Sequence, residues 1–165
     1  MLEIRRFRPE EWRQYRDVRF RALQDAPNAF GSTFAIERDK PDDYWMARLE
    51  SAAQSSEQLP LAAEQDGRLV GLVWGVVDPQ NPEAIHVIQM WVDPGARGKG
   101  CGFKLLDAVI RWAKERKARS VHLRVTTGDT SATRLYLRAG FRSTGFLEPL
   151  RPDSSELTQP MTLSL

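Results

Sequence analysis

Residues 92–102, Val92-Asp93-Pro94-Gly95-Ala96-Arg97-Gly98-Lys99-Gly100-Cys101-Gly102, limit the fold of this chain more than any other stretch, because an apolar run ends in them and a helical pattern begins. Residues 84–92 are rich in β-branched and aromatic types and read as a strand, which Asp93-Pro94-Gly95 stops with turn chemistry. From Gly102 onward Leu106, Val109, Ile110 and Ala113 recur at helical spacing, with Leu105 and Trp112 beside them. Lys104, Asp107, Arg111, Lys114 and Glu115 take the other side, which predicts an amphipathic helix over 102–117. Val121–Val125 then returns as a strand that must run parallel to the first in a right-handed crossover.

Three alternate glycines, Gly98, Gly100 and Gly102, therefore stand where that helix starts. The first turn of a helix leaves backbone N–H groups unpaired and carries partial positive charge, and glycine lets a ligand come close to the backbone. With Arg97 and Lys99 adding full charges, the segment reads as a cradle for a phosphate or pyrophosphate. A P-loop would need G-x-x-x-x-G-K-[ST], which is absent, and a dinucleotide fingerprint would need glycine at Phe103.

The remaining elements surround this βαβ unit. Leu2–Phe7 alternates apolar with charged residues as an edge strand, and Pro9 opens a helix with Trp12, Tyr15, Val18 and Ala22 on its apolar face. Arg13, Arg16, Arg19 and Arg21 read as the solvated side of that helix. Residues 26–33 form a loop, and a second helix runs from Pro41-Asp42-Asp43 to about Ala53. Leu59–Gln65 and Arg68–Val77 make a hairpin about Asp66-Gly67. Residues 129–139 form a short helix with Asp129 as N-cap, Ala132, Leu135, Tyr136 and Ala139 on one face, and Gly140 as its stop. Phe141–Leu147 and Pro160–Leu165 complete the sheet, with a loop over 148–159. The expectation is an α/β (α+β) fold in one domain over 1–165: a mostly antiparallel central sheet of about seven strands with flanking helices.

Composition narrows the partners. Lys+Arg 24 against Asp+Glu 22 leaves a net charge of +2, too small a surplus to argue for nucleic acid. No apolar run reaches the length of a membrane span, and the amino-terminal residues carry no apolar signal core, so a soluble, cytoplasmic protein is expected. One cysteine cannot form an internal disulfide, and two histidines and a cysteine lack metal-ligand spacing.

The cradle contains R-x-x-G-x-G as Arg97, Gly100 and Gly102, and Ala132-x-x-Leu135-Tyr136-x-x-x-Gly140-Phe141 follows downstream. In both motifs the chain resembles the GNAT N-acetyltransferases, closely over residues 70–146 and in the order of its elements over most of its length. The resemblance implies acetyl-CoA as cofactor and a primary amine, on a small molecule or a peptide, as acceptor. It implies direct attack of the amine on the thioester through a tetrahedral intermediate. It places the backbone of Met90, Trp91 and Val92 along the pantetheine and the developing oxyanion, and Arg97, Gly98, Lys99, Gly100, Cys101 and Gly102 around the phosphates. Tyr136 matches the tyrosine that serves as acid toward the leaving sulfur. Phe30, Ser32, Tyr44 and Trp45 become candidates for the acceptor pocket, and a homodimer is the family expectation.

No motif chooses the base. His86 is one candidate, imidazole being a side chain suited to proton transfer near neutral pH, Glu83 is a second, and relay through water is a third. In a regular strand His86 shares a face with Ile88, Met90 and Val92, whereas a bulge would exchange the faces beyond it. Where the family often carries asparagines before the last helix, this chain has Thr126 and Asp129, so Asp129 is read both as a cofactor contact and as a helix cap. Cys101 lies among the phosphate-binding residues, away from the thioester, as a small packed residue. The alternative function is a catalytically silent acyl-CoA-binding regulatory domain.

Overall fold

A computed structural model describes residues 1–165. In chain order the elements are β1 (Leu2–Arg6), a 3-10 turn (Pro9–Glu11), α1 (Trp12–Asp25), α2 (Phe34–Glu37), α3 (Asp42–Gln54), β2 (Gln58–Gln65), β3 (Arg68–Asp78) and β4 (Asn81–Val92). A second 3-10 turn (Pro94–Ala96) leads to α4 (Cys101–Glu115), β5 (Ser120–Thr126), α5 (Thr130–Arg138), β6 (Arg142–Ser143), β7 (Glu148–Pro149) and β8 (Leu157–Ser164). The strands form one sheet in the order β1-β2-β3-β4-β5-β8-β6, with β7 also on β8. Every pair is antiparallel except β4 with β5, as the crossover through α4 requires.

The sheet has eight strands where about seven were expected. The strand expected at 141–147 shrinks to Arg142–Ser143, because Gly145 takes a left-handed φ of +69° and turns the chain away from β8. Residues 148–149 then rejoin β8 and shorten the expected loop. The four-residue helix α2 was not anticipated, since it has too few residues to show periodicity; Thr33 caps it by accepting from the Ile36 amide at 3.2 Å.

The pleat divides the core between two faces. Leu61, Ala63, Val73, Ile85 and Val87 pack beneath Leu105, Leu106 and Val109 of α4, while Ala62, Leu72 and Trp74 pack beneath Tyr15, Trp45 and Leu49 of α1 and α3. This alternation breaks in β4. Leu72 pairs with Trp91 but Trp74 pairs with Ile88, so Gln89 and Met90 together oppose a single residue of β3. Gln89 carries the extra length in a left-handed φ of +56°. Beyond this bulge the faces exchange: Met90 and Val92 join the α4 side with Val87, and Trp91 joins the α1 side.

Candidate active site

The bulge parts the sheet. β4 and β5 pair only over Ala84–His86 and Ser120–His122, after which the two strands splay. A cleft of about 730 Å³ lies on one side of the gap, walled by Phe30, His86, Gln89, His122, Arg124 and Thr158 among others. A cleft of about 670 Å³ lies on the other, walled by Trp91, Val92, Arg97, Gly100, Cys101 and Asp129 among others. Ala29, Met90 and Tyr136 belong to both walls. The loop after α1 spans the junction. It is held from beneath by Thr126 Oγ1, which donates to the Asn28 carbonyl at 2.6 Å, and from outside by Arg151 Nη1, which donates to the Phe30 carbonyl at 2.6 Å.

On the second cleft the α4 N-terminus is shaped for close approach. Gly98 and Gly100 have φ of +78° and +83°, and a Cβ built on either would meet nothing within 4 Å, so the space over this backbone is open. Gly102 serves packing instead, its α-carbon facing Leu135, Met90 and Val92. Arg97 is anchored: its Nε donates to the Val92 carbonyl at 2.9 Å and its Nη2 to Asp25 Oδ2 at 2.6 Å. Asp25 also accepts from Trp91 Nε1 at 2.9 Å, so one carboxylate ties α1 to the end of β4 and to the glycine loop. Asp93 steadies the same turn, accepting from the Gly95 amide at 2.9 Å and pairing with Arg21. Burial opposes ionisation of Asp93, but these two partners prevail and hold its carboxyl below the usual range. The left-handed glycines, the free first-turn amides and Arg97 form a donor set that fits the pyrophosphate of a CoA.

Tyr136 stands at the junction, 6% exposed, with its ring edge-on to Phe141 at 6.0 Å. Its hydroxyl has no hydrogen-bond partner within the protein, and burial, with the nearby Asp129 charge, pushes the phenol well above its ordinary pKa. It keeps its proton. Asp129 accepts from the Ala132 amide at 3.2 Å as the cap of α5 and also lines the second cleft. Cys101 lines that cleft too, and burial raises its thiol pKa, so it is not a thiolate.

On the first cleft His86 Nε2 lies 2.8 Å from Asp78 Oδ2, and its ring is 5.5 Å from that of His122. The His86 hydrogen bond is the leading cause of a lowered Asp78 pKa. His122 sits between Ser120 Oγ at 2.8 Å and Thr162 Oγ1 at 3.1 Å, and burial, followed by the His86 charge, holds its imidazole pKa down.

Several residues singled out in the sequence lie elsewhere. Glu83 faces solvent near Arg119 at 3.7 Å and is on neither wall. Trp45 is fully buried beneath α1, Tyr44 packs edge-on to it, and Ser32 also lies off both walls; of the four acceptor candidates only Phe30 lines a cleft. Lys99 is exposed, outside the wall of the second cleft. Arg19, expected on a solvated face, is 4% exposed and paired with Glu37. Asp25, Gln89, Asp78 and Arg19 carried no motif. Their partners are from 8 to 74 residues away in the chain, a separation that periodicity cannot register.

The acetyltransferase (GNAT) family model matches residues 4–141. The chain belongs to this family. A Streptococcus pneumoniae GNAT-family acetyltransferase superposes with a TM-score of 0.85 over 100% of this chain and 99% of its own, at 20% identity. The Salmonella typhimurium yncA protein, solved with its cofactor acetyl-CoA, superposes with a TM-score of 0.82 over 100% and 94% at 19% identity. In sequence, a mycothiol acetyltransferase of Clavibacter sepedonicus is 38% identical over 95 residues, 58% of this chain and 30% of that protein. An L-2,4-diaminobutyric acid acetyltransferase of Streptomyces anulatus is 35% identical over 77 residues, 46% of this chain and 44% of that protein. These matches therefore take in less than half of either relative's length.

Proposed function

We propose that this GNAT-family chain is an N-acetyltransferase that passes the acetyl group of acetyl-CoA to a primary amine held in the cleft beside His86. One observation carries the reading: the cofactor-side and acceptor-side clefts share Ala29, Met90 and Tyr136 across the gap that the Gln89 bulge opens. The family, and the acetyltransferase names of its relatives, support it.

Acetyl-CoA, when bound, supplies an acetyl group activated as a thioester. The residues of the chain bind, orient and move protons. Arg97 and the amides at Gly98–Gly102 hold phosphate, and the edge of β4 that leaves β5 after His86 offers its backbone at Met90–Val92 to the pantetheine and to a carbonyl oxygen gaining charge. With Nε2–H donated to Asp78, His86 presents Nδ1 as its basic nitrogen and takes a proton from the acceptor ammonium or through a water. Tyr136 holds a proton on Oη at the junction, where a departing thiolate needs one.

The test is a calorimetric titration of acetyl-CoA, with ATP and NAD as controls, followed by thiol release across a panel of amines. Saturable binding of acetyl-CoA alone with amine-dependent thiol release is expected. Binding with no release from any amine would favour the silent regulatory domain, and no binding would remove the cradle assignment.

A further inference from the structure

Four buried side-chain atoms have no hydrogen-bond partner: Arg19 Nη1, Arg48 Nε, Trp45 Nε1 and Trp74 Nε1. All four are donors, and all four residues gather round Tyr15. The rings of Trp45 and Trp74 each lie 5.7 Å from its ring, and the charges of Arg48 and Arg19 both reach its phenol. Arg48 lies over Trp74 at 4.8 Å and forms no ion pair, while Arg19 spends Nε and Nη2 on Glu37 at 3.0 and 2.8 Å. Two guanidiniums thus share one carboxylate in a buried sector, which leaves positive charge and donors in surplus. A surplus of that kind is costly unless an acceptor-rich anion comes to it.

This sector reaches the acceptor-side cleft at two residues, Arg19 and Gln89. Gln89 accepts from Tyr15 Oη at 2.8 Å through Oε1, which fixes its amide and leaves its NH2 group without a partner. Arg19, whose unspent Nη1 is buried behind the wall, and Gln89, whose amide has a free donor, are therefore the two residues through which this surplus can reach the cleft. The only carboxylate on the whole cleft wall is Glu148, and it is paired with Arg124. A polycationic amine finds no free carboxylate to meet a second ammonium, whereas an anionic group finds donors waiting.

We propose, on the reading that this cleft holds the acceptor, that the acceptor is an amine that also carries a carboxylate, seated on Arg19 Nη1 and the Gln89 amide. Its amino group then lies toward the junction at Met90 and Tyr136. Glu37 orients the guanidinium from behind, and the Phe30 ring packs over it at 4.9 Å from the guanidinium carbon. Seating a carboxylate on Nη1 requires this ring to swing aside.

The experiment compares α-amino acids with their own carboxamides and decarboxylated amines: leucine and methionine, leucinamide and methioninamide, then isopentylamine and 3-(methylthio)propylamine, with spermidine added. The acids are expected to exceed their amides at least tenfold in kcat/KM. Arg19→Gln made together with Glu37→Gln removes both charges of the ion pair and leaves Arg48 as the one guanidinium of the sector; in that variant the preference should fall below twofold while acetyl-CoA affinity stays unchanged. Amides or plain amines used as well as the acids, spermidine preferred to all of them, or a preference that survives the double substitution would each overturn the proposal. The acetyl-transfer reading fails separately, as absence of acetyl-CoA binding. In that event the acid and amide pairs are titrated directly into the protein: binding of the acids alone supports the carboxylate site, and equal or absent binding overturns it.

Discussion

Single residues set the chemistry of the junction. Gly100 caps α4 at φ +83°, in backbone that costs a side chain about 1–2 kcal/mol, and it faces open space on the cofactor side. Gly100→Ala and Gly100→Glu should therefore lose similar stability in urea denaturation. Only the glutamate, which puts a negative charge and bulk over the phosphate cradle, should abolish acetyl-CoA binding in calorimetry. Tyr136→Phe removes a hydroxyl that bonds to nothing in the protein, so acetyl-CoA affinity should hold while kcat falls about 10²–10⁴-fold; undiminished kcat would exclude Tyr136 as the acid. His122 titrates below its ordinary value, mainly through burial. Folded and unfolded chains are both neutral at this residue above about pH 6.5, and below it the unfolded chain takes a proton that the folded chain resists. Its contribution is present at pH 7.5 and lost as pH falls, so the drop in Tm between pH 7.5 and 5.5 should be smaller in His122→Gln.

At the scale of elements, the bulge in β4 opens the sheet between the two clefts. Gln89 accepts from a phenol, Tyr15, that is fully buried. Gln89→Ala should cost about 1–3 kcal/mol by leaving that hydroxyl unpaired, and the cost should shrink in a Tyr15→Phe background, as a double-mutant cycle in urea would read. The βαβ unit was legible because its periodicities switch within a few residues, from a β-branched run to Leu106, Val109, Ile110 and Ala113. The position of the bulge was not legible, since a left-handed glutamine is local strain that the surrounding ladder imposes and no residue type announces. The faces therefore exchanged after Ile88. The two base candidates both precede the bulge and are apart by position alone: His86 lies on the cleft wall beside Asp78, while Glu83, near the start of β4, stays in solvent.

At the scale of the molecule, the sheet separates two cores and joins two clefts. No helix is long and apolar enough to cross a membrane. Asp25 of α1 holds both the end of β4 and Arg97 of the glycine loop, so a ligand that binds this folded arrangement and not the unfolded chain stabilises the fold. Acetyl-CoA at 100 times its Kd should add about 2.7 kcal/mol and raise Tm by roughly 5–10 °C; an unchanged melting curve would speak against a preformed cradle.

Local rules in the sequence determined the hairpin at Asp66-Gly67, the amphipathic α4, the Asp129 cap and the glycine turn that starts α4, because each depends on neighbours within a few positions. Tertiary structure alone decided the buried Arg19–Glu37 pair, the Asp25 tie and the splay between β4 and β5. In those, charge, burial and strand register are set by partners brought together across the fold, and a side chain such as Arg19 acquires its role only from what surrounds it.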